Sequence, residues 1–399
     1  MSLDTSRRRF VRAALSMAAA LPAATLSFAG SGSPTGRRFV FVILRGGMDG
    51  LTAVPAIGEP DFEPARGALA NFTGFDTAPL PLEGPFALHP LLAQLHAMYR
   101  SGELLVVHAA GLPYRERSHF DAQQVLESGG TRPYELSTGW LGRALAAGAQ
   151  RGIAINTAVP LVLRGPAQID SWAPSALPEP NADLVMRLQQ LYAGDPALAQ
   201  ALQRAKSLHT DAAMAANEPM ARGSSLAVAL ARKAGEFLAR PDGPQAAVLE
   251  MGGWDSHANQ AAPGGALSSN LRALDAALAA LRDALRSPAS DDAWSRSVAV
   301  VATEFGREVA INGTLGTDHG SGGAAFVLGG AVRGGRVLAD WPGLGRRERF
   351  EGRDLRITTD LRAVLKPLLA EQLRLSRAVL EREVFPGSGT LRPLALLKG

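Results

Sequence analysis

Two short stretches of this chain set carboxylates and imidazoles at spacings that suit metal chemistry, and two more offer an acid and a hydroxyl that could join them. In Met251-Gly252-Gly253-Trp254-Asp255-Ser256-His257 an acid and a histidine stand two residues apart in a glycine-bearing loop, after the apolar run Ala246 to Glu250. Such a pair can turn a carboxylate oxygen and a neutral imidazole nitrogen toward one divalent ion. Trp254, just before the pair, serves equally as a packing lid or a substrate contact. The stretch Ser297 to Gly323 has an apolar run that stops at Thr303, Glu304 and Arg307, then a glycine-rich loop with Asp318, His319 and Gly320. Asp49 follows a third apolar run, Phe39 to Leu44, across the turn Arg45-Gly46-Gly47-Met48. An acid there is read equally well as an ordinary strand-to-helix turn residue. Ser118, with Asp121 three residues on, has the pattern of a helix N-cap. The same position surrounds a hydroxyl with free N–H groups, where it could attack a phosphoryl or sulfuryl centre while Arg115 and Arg117 hold the oxygens.

These residues need a scaffold that brings strand ends together. Continuous apolar runs at 39–44, 103–109, 246–250, 298–302 and 324–328 predict a mainly parallel sheet. Ligand crevices of open α/β sheets lie beyond the carboxyl ends of such strands, which is where the acids and histidines fall. Ile153 to Ile155 and Leu161 to Leu163 are expected to add short strands. Leu267, Leu271, Leu274, Leu278, Leu281 and Leu285 recur at spacings of four and three and predict a crossover helix packed on the sheet. The expected architecture is one α/β domain over residues 37–399 with helices on both faces. Insertions are expected at about 52–90, rich in proline and glycine, and at 181–240, helical in pattern.

Composition limits the function. The chain has 399 residues, 46% hydrophobic and 20% charged, with no cysteine, which excludes a thiolate metal site and a cysteine nucleophile. The first 29 residues hold four arginines against one aspartate, so the remainder carries 37 basic and 36 acidic residues. That balance removes the support for nucleic-acid binding. No G-x-G-x-x-G fingerprint is present, and no stretch of the mature chain is long and apolar enough to span a bilayer. Ser6-Arg7-Arg8-Arg9-Phe10-Val11, an alanine-rich segment and Ser27-Phe28-Ala29 read as a cleavable address over 1–29, followed by a flexible linker over 30–36.

That address resembles a twin-arginine export signal. Together with FVILRGGMDGL, RSHFDAQ, GGWDSH, VVATEFGRE and TDHGSGGAAFVLGGAVRGG, it resembles a family of exported bacterial proteins of unknown function. That family is itself similar to the alkaline phosphatase and sulfatase superfamily. The resemblance implies export of the folded chain by the twin-arginine translocase to the periplasm or beyond. It also implies an alkaline phosphatase-like fold and a divalent metal, zinc, manganese, magnesium or calcium. In the superfamily's site order, Asp49, Ser118, Asp255 with His257, Glu304 and His319 take the places of ligands and nucleophile, with Asp318 as a reserve ligand and Arg307 or Arg117 steadying the anion. The implied activity is hydrolysis or transfer of a phosphate or sulfate ester of a small molecule or glycan. The chain departs from the pattern at Glu304-Phe305, where relatives carry Asp-His. A non-catalytic binding or assembly protein on the same scaffold is therefore the alternative.

Overall fold

The computed structural model describes residues 36–175, 180–213, 224–287 and 291–398, with backbone alone for 207–213 and 224. The expected signal over 1–29 and nearly all of the linker lie outside the described residues. The strands are β1 Arg38–Leu44, β2 Leu80–Pro81, β3 Ala87–Leu88, β4 Leu104–Gly111, β5 Arg151–Ala154, β6 Gln168–Ser171, β7 Ala246–Met251, β8 Ser297–Thr303, β9 Gly323–Leu328, β10 Arg336–Leu338 and β11 Thr359–Asp360. One sheet runs β10-β4-β9-β8-β1-β7-β5-β6, with β11 also on β4, while β2 and β3 pair separately. Every pairing in the large sheet is parallel except those of β9, which runs antiparallel to both β8 and β4. The mainly parallel sheet expected from the apolar runs is therefore present.

The centre of the sheet shows why those runs are continuous. Side chains alternate across a strand, so a strand covered on both faces must be apolar at every position. On β1, Val40, Val42 and Leu44 join one core cluster, and Phe39, Phe41 and Ile43 join the other. On the first face lie the helices Ala93–Arg100, Ser224–Ala239 and Ala266–Arg286. The six leucines at the expected spacing on Ala266–Arg286 are all buried, and each contributes roughly 1.5–3 kcal/mol. On the second face, Trp140 meets Phe41 edge-on at 5.0 Å, beside the helices His119–Ser128, Trp140–Ala147 and Leu361–Gln372.

Two expectations change. Leu161–Leu163 is a 3-10 turn and not a strand, because Pro160 opens a one-turn segment whose apolar residues reach the core without pairing. The strand lies further on, at β6, where Gln168–Ser171 pairs with β5 at the sheet edge. Within 181–240, the helices Ala182–Tyr192 and Pro196–Ala213 contact each other, and none of the first helix's residues is buried. Ser224–Ala239, in contrast, buries Ala231, Ala234, Phe237 and Leu238 against the long leucine helix and belongs to the core. Among the described residues no helix is long and apolar enough to cross a membrane.

Candidate metal centre

Register explains how distant residues meet. Leu44, the last residue of β1, lies opposite Met251 of β7 and Thr303 of β8, so three parallel strands end level. Thr303 Oγ1 ties this edge together by donating to Leu44 O at 2.7 Å. The chain leaves the three ends as the loops carrying Asp49, Asp255 and Glu304. Beyond β8 the chain doubles back: Arg307 bridges His319, and Glu308 N donates to Asp318 O at 2.8 Å. β4 runs the same way as β1, and its carboxyl end leads to Ser118 and the helix His119–Ser128. Glycine is required where these loops touch. Gly46 has φ of +121°, and a Cβ there would stand 2.6 Å from Asp255 N.

At this edge His119, Asp255 and His319 offer donor atoms all within 4.8 Å of one another. His119 Nε2 is 3.1 Å from His319 Nε2 and 3.3 Å from Asp255 Oδ2. His319 Nε2 is 3.0 Å from Asp255 Oδ1. His257 adjoins on the far side, its Nε2 at 2.8 Å from Asp255 Oδ1 and 3.3 Å from His319 Nε2. The opposite nitrogen of each ring faces an acceptor. His119 Nδ1 meets Glu304 Oε1 at 2.8 Å, His257 Nδ1 meets Asp318 Oδ1 at 3.1 Å, and His319 Nδ1 meets Arg117 O at 3.0 Å. With a metal ion bound, such partners would take the proton on Nδ1 and leave Nε2 as the coordinating lone pair.

The expected site residues thus divide. Asp255, His257 and His319 come together. Glu304 and Asp318 stand behind histidines instead of beside them. Glu304 is buried and accepts also from Gly46 N at 2.9 Å and Gln123 Nε2 at 3.0 Å. Burial would raise its pKa, but the bonds from His119 and Gln123 bring it below the usual carboxylate range, and the His119 pKa is raised in return, chiefly by the bond to Glu304. Asp49 is not brought to the group. It caps the short helix Gly50–Ala53 through Leu51 N and Thr52 N, accepts from Thr52 Oγ1 at 2.7 Å, and pairs with buried Arg66 and Gln260.

Neither expected anion-holding arginine is available to a ligand. Arg307 is fully buried and donates to Asp255 Oδ1 at 2.6 Å, Ser256 O at 3.2 Å, and both the hydroxyl and the carbonyl of Thr317. Burial would raise the Asp255 pKa, but Arg307 and the neighbouring histidines hold it at about 2. Arg117 spends its guanidinium on Asp354 at 2.8 Å and Glu351 at 2.6 Å. Ser118 occupies an N-cap position, yet its hydroxyl makes no capping bond. Trp254 is fully buried in the core, which makes it a packing anchor for the loop and not a ligand contact.

His119 is the residue that the sequence pattern passed over. Its neighbours Ser118 and Asp121 fit a capping motif, which draws attention to the hydroxyl. The available signal was a histidine in the first helical turn after a sheet strand, with Gln123 one turn later.

A family model matches residues 48–383 and is described as a protein of unknown function, DUF1501. The chain belongs to the DUF1501 family. All the residues of the centre fall inside the DUF1501 match. No curated protein matches the chain. Among solved structures, the DUF1501 chain is similar to a phosphonate monoester hydrolase of Agrobacterium radiobacter, with 12% identity and a TM-score of 0.35, covering 76% of this chain and 70% of that one. It is also similar to the C-terminal periplasmic domain of EcEptC from Escherichia coli in complex with zinc, with 10% identity and a TM-score of 0.32, covering 75% and 73%.

Proposed function

We propose that this protein is a metal-dependent hydrolase or transferase of phosphate or sulfate esters, with an ion held by His119, Asp255 and His319 and adjoined by His257. One observation carries the reading. Three imidazoles turn their Nε2 atoms toward one carboxylate while their opposite nitrogens face acceptors. Neutral rings with the proton on Nδ1 repel one another unless a cation lies among them. The spacings fit this: contacts of 3.0–3.3 Å around the group match the edge of about 3.3 Å expected for a tetrahedron with metal–ligand bonds of ~2.05 Å. Three protein ligands would leave a position for water or substrate, as catalytic sites do.

A divalent ion there would polarise an ester oxygen as a Lewis acid and make bound water a nucleophile near neutral pH. Imidazole-rich donors suit zinc better than manganese, magnesium or calcium, which favour oxygen. The chain's own residues would do the rest. Ser118, half-buried before His119 and free of a capping bond, is the candidate nucleophile. Its oxygen would bond to phosphorus or sulfur as the alcohol departs with a proton, and water would then release the serine. With Arg307 and Arg117 committed to carboxylates, Arg115 is the cation left for the ester's oxygens. Its guanidinium rests 5.0 Å over the Phe350 ring, and among the described residues it makes no ion pair. Arg307 would position Asp255. The export signal would deliver this single alkaline phosphatase-like domain, folded, to the periplasm or beyond.

The commitment of Arg117 and Arg307 also favours a second reading, a binding or assembly protein without turnover. Elemental mass spectrometry of wild type and Asp255→Ala, followed by assay of metal-loaded wild type on phosphate and sulfate esters, separates the two. Stoichiometric metal lost in the variant, with turnover of any ester, supports the enzyme. Bound metal without turnover supports the binding protein, and absence of metal after supplementation removes the metal-dependent enzyme and leaves the binding protein.

A further inference from the structure

We propose that Phe120 and Tyr134 form an aromatic subsite beside the metal centre that takes a sugar ring, so that the ester is carried on a carbohydrate. This rests on the metal-ester reading above. Phe120 is 83% exposed although it directly follows the candidate ligand His119. Their Cα atoms are therefore about 3.8 Å apart, which places Phe120 next to the centre along the chain. A single exposed ring would mean little. A second ring is held nearby by a bond that serves no core: Tyr134 is 73% exposed, and its N donates at 2.8 Å to Gln124 Oε1. Gln124 lies one turn beyond Phe120 on the same helix face.

Tyr134 is held there against its backbone preference. Its φ is +58°, a left-handed conformation that is rare for a bulky side chain. The loop is nonetheless built to keep it. Glu135 accepts from Thr131 N at 2.8 Å, Thr131 Oγ1 at 3.0 Å and Arg132 N at 3.2 Å, closing a tight turn. Strain retained in a firmly bonded loop to present an exposed ring is the pattern of a ligand contact.

The surroundings decide the ligand class. Polar groups adjoin both rings: Gln124 accepts from Tyr134 N, and Asp121, next in the chain to Phe120, accepts from the Tyr114 hydroxyl at 3.1 Å. A lipid or an apolar protein face would need a contiguous apolar patch. A pyranose instead offers C–H faces to stack on rings and hydroxyls for the polar groups beside them.

The test is isothermal titration of the zinc-loaded full chain with inorganic phosphate and glucose 6-phosphate, and with inorganic sulfate and glucose 6-sulfate. Wild type should favour the glucose ester of the anion it binds by about tenfold, the worth of two stacked rings. Phe120→Ala with Tyr134→Gly should abolish that preference while zinc content and affinity for the inorganic anion persist. Tyr134→Gly alone should raise the melting temperature, because it relieves the φ strain, and weaken only the sugar preference. Binding of an inorganic anion with no preference for its glucose ester in wild type overturns the subsite and leaves the metal-ester reading intact. Binding of neither anion overturns that reading and the subsite with it.

Discussion

Asp49 and Asp255 leave the ends of adjacent parallel strands and each meets a buried arginine, yet they are opposite kinds of acid. Asp49 is 1% exposed, and every partner it has brings a proton: Leu51 N, Thr52 N, Thr52 Oγ1, Arg66 and Gln260. The Asp255 side chain is 41% exposed, and apart from Arg307 its partners are the Nε2 atoms of three imidazoles, whose opposite nitrogens already face acceptors. Both carboxyls are ionised below the ordinary range. Charge state and an arginine neighbour therefore do not separate an acid sealed in a buried network from one left open to solvent. What separates them is whether the surrounding groups already satisfy one another. The two regions are joined through Gln260, which donates to Asp49 and accepts from Thr317 Oγ1, itself bonded to Arg307. The buried network thus also supports the open one.

The strongest way to break this comparison is to remove the acids in turn. Asp255→Ala and His119→Ala should each lose the metal and lower ester turnover by about a thousandfold or more, the scale of losing a metal's Lewis acidity. Asp49→Ala should keep stoichiometric metal in its folded fraction but lose roughly 3–5 kcal/mol of stability, because Arg66 would be left as an unpaired buried charge. Metal content and urea unfolding measured on the same preparations check both. A folded Asp49→Ala protein without metal would make Asp49 a ligand and erase the distinction.

Acid sharpens the contrast from the side of the histidines. His89 and His108 are buried away from the centre, and desolvation lowers both pKa values from 6.5 to about 4. His108 Nε2 meets Val54 O at 2.9 Å, and its Nδ1 accepts from Ala109 N. Unfolded, these rings would take protons near pH 6.5. Folded, they resist until about pH 4, so the unfolded state binds more protons between those values. Stability is therefore full above pH 6.5 and falls as the pH drops toward 4, by about 3 kcal/mol for each ring. Urea midpoints measured across that range should fall steadily in wild type and less steeply in His108→Gln. Equal slopes would remove His108 from the account.

Glu304→Gln tests whether a carboxylate one bond behind the centre matters less than one within it. The amide can still accept from Gly46 N, but it no longer polarises His119. Metal affinity should fall by about 10–100-fold without the complete loss expected for Asp255→Ala. Competition with a chelator measures this directly, and an unchanged affinity would reduce Glu304 to packing.

Much of the scaffold was legible because its rule is local. A strand covered on both faces must be apolar along its covered length, and 39–44 of β1, 246–249 of β7, 298–302 of β8 and 324–328 of β9 are. β6 was not legible, since Gln168–Ser171 sits at an edge where half-exposed polar residues are tolerated and the pairing partner alone makes it a strand. Asp255, His257 and His319 were readable as ligand candidates from their short spacings in glycine loops. His119 was hidden by a capping motif around it, and the roles of Glu304 and Asp318 depend on which side of a ring they reach. No spacing encodes that. Arg307 and Arg117 illustrate the same limit, because an arginine near a site holds a substrate only if the fold has not already given it carboxylates.

The smallest structural effect is expected at Ser118, and its smallness makes it useful. A serine whose hydroxyl caps a helix costs about 0.5–2 kcal/mol to remove. Here the hydroxyl makes no such bond, so Ser118→Ala should change stability by less than about 0.5 kcal/mol. Any loss of ester turnover in that variant then reports on chemistry and not on folding. If turnover falls by two or more orders of magnitude with metal content unchanged, the serine oxygen is the nucleophile. If turnover is retained, attack belongs to water, and Ser118 leads into the helix only so that His119 faces the centre.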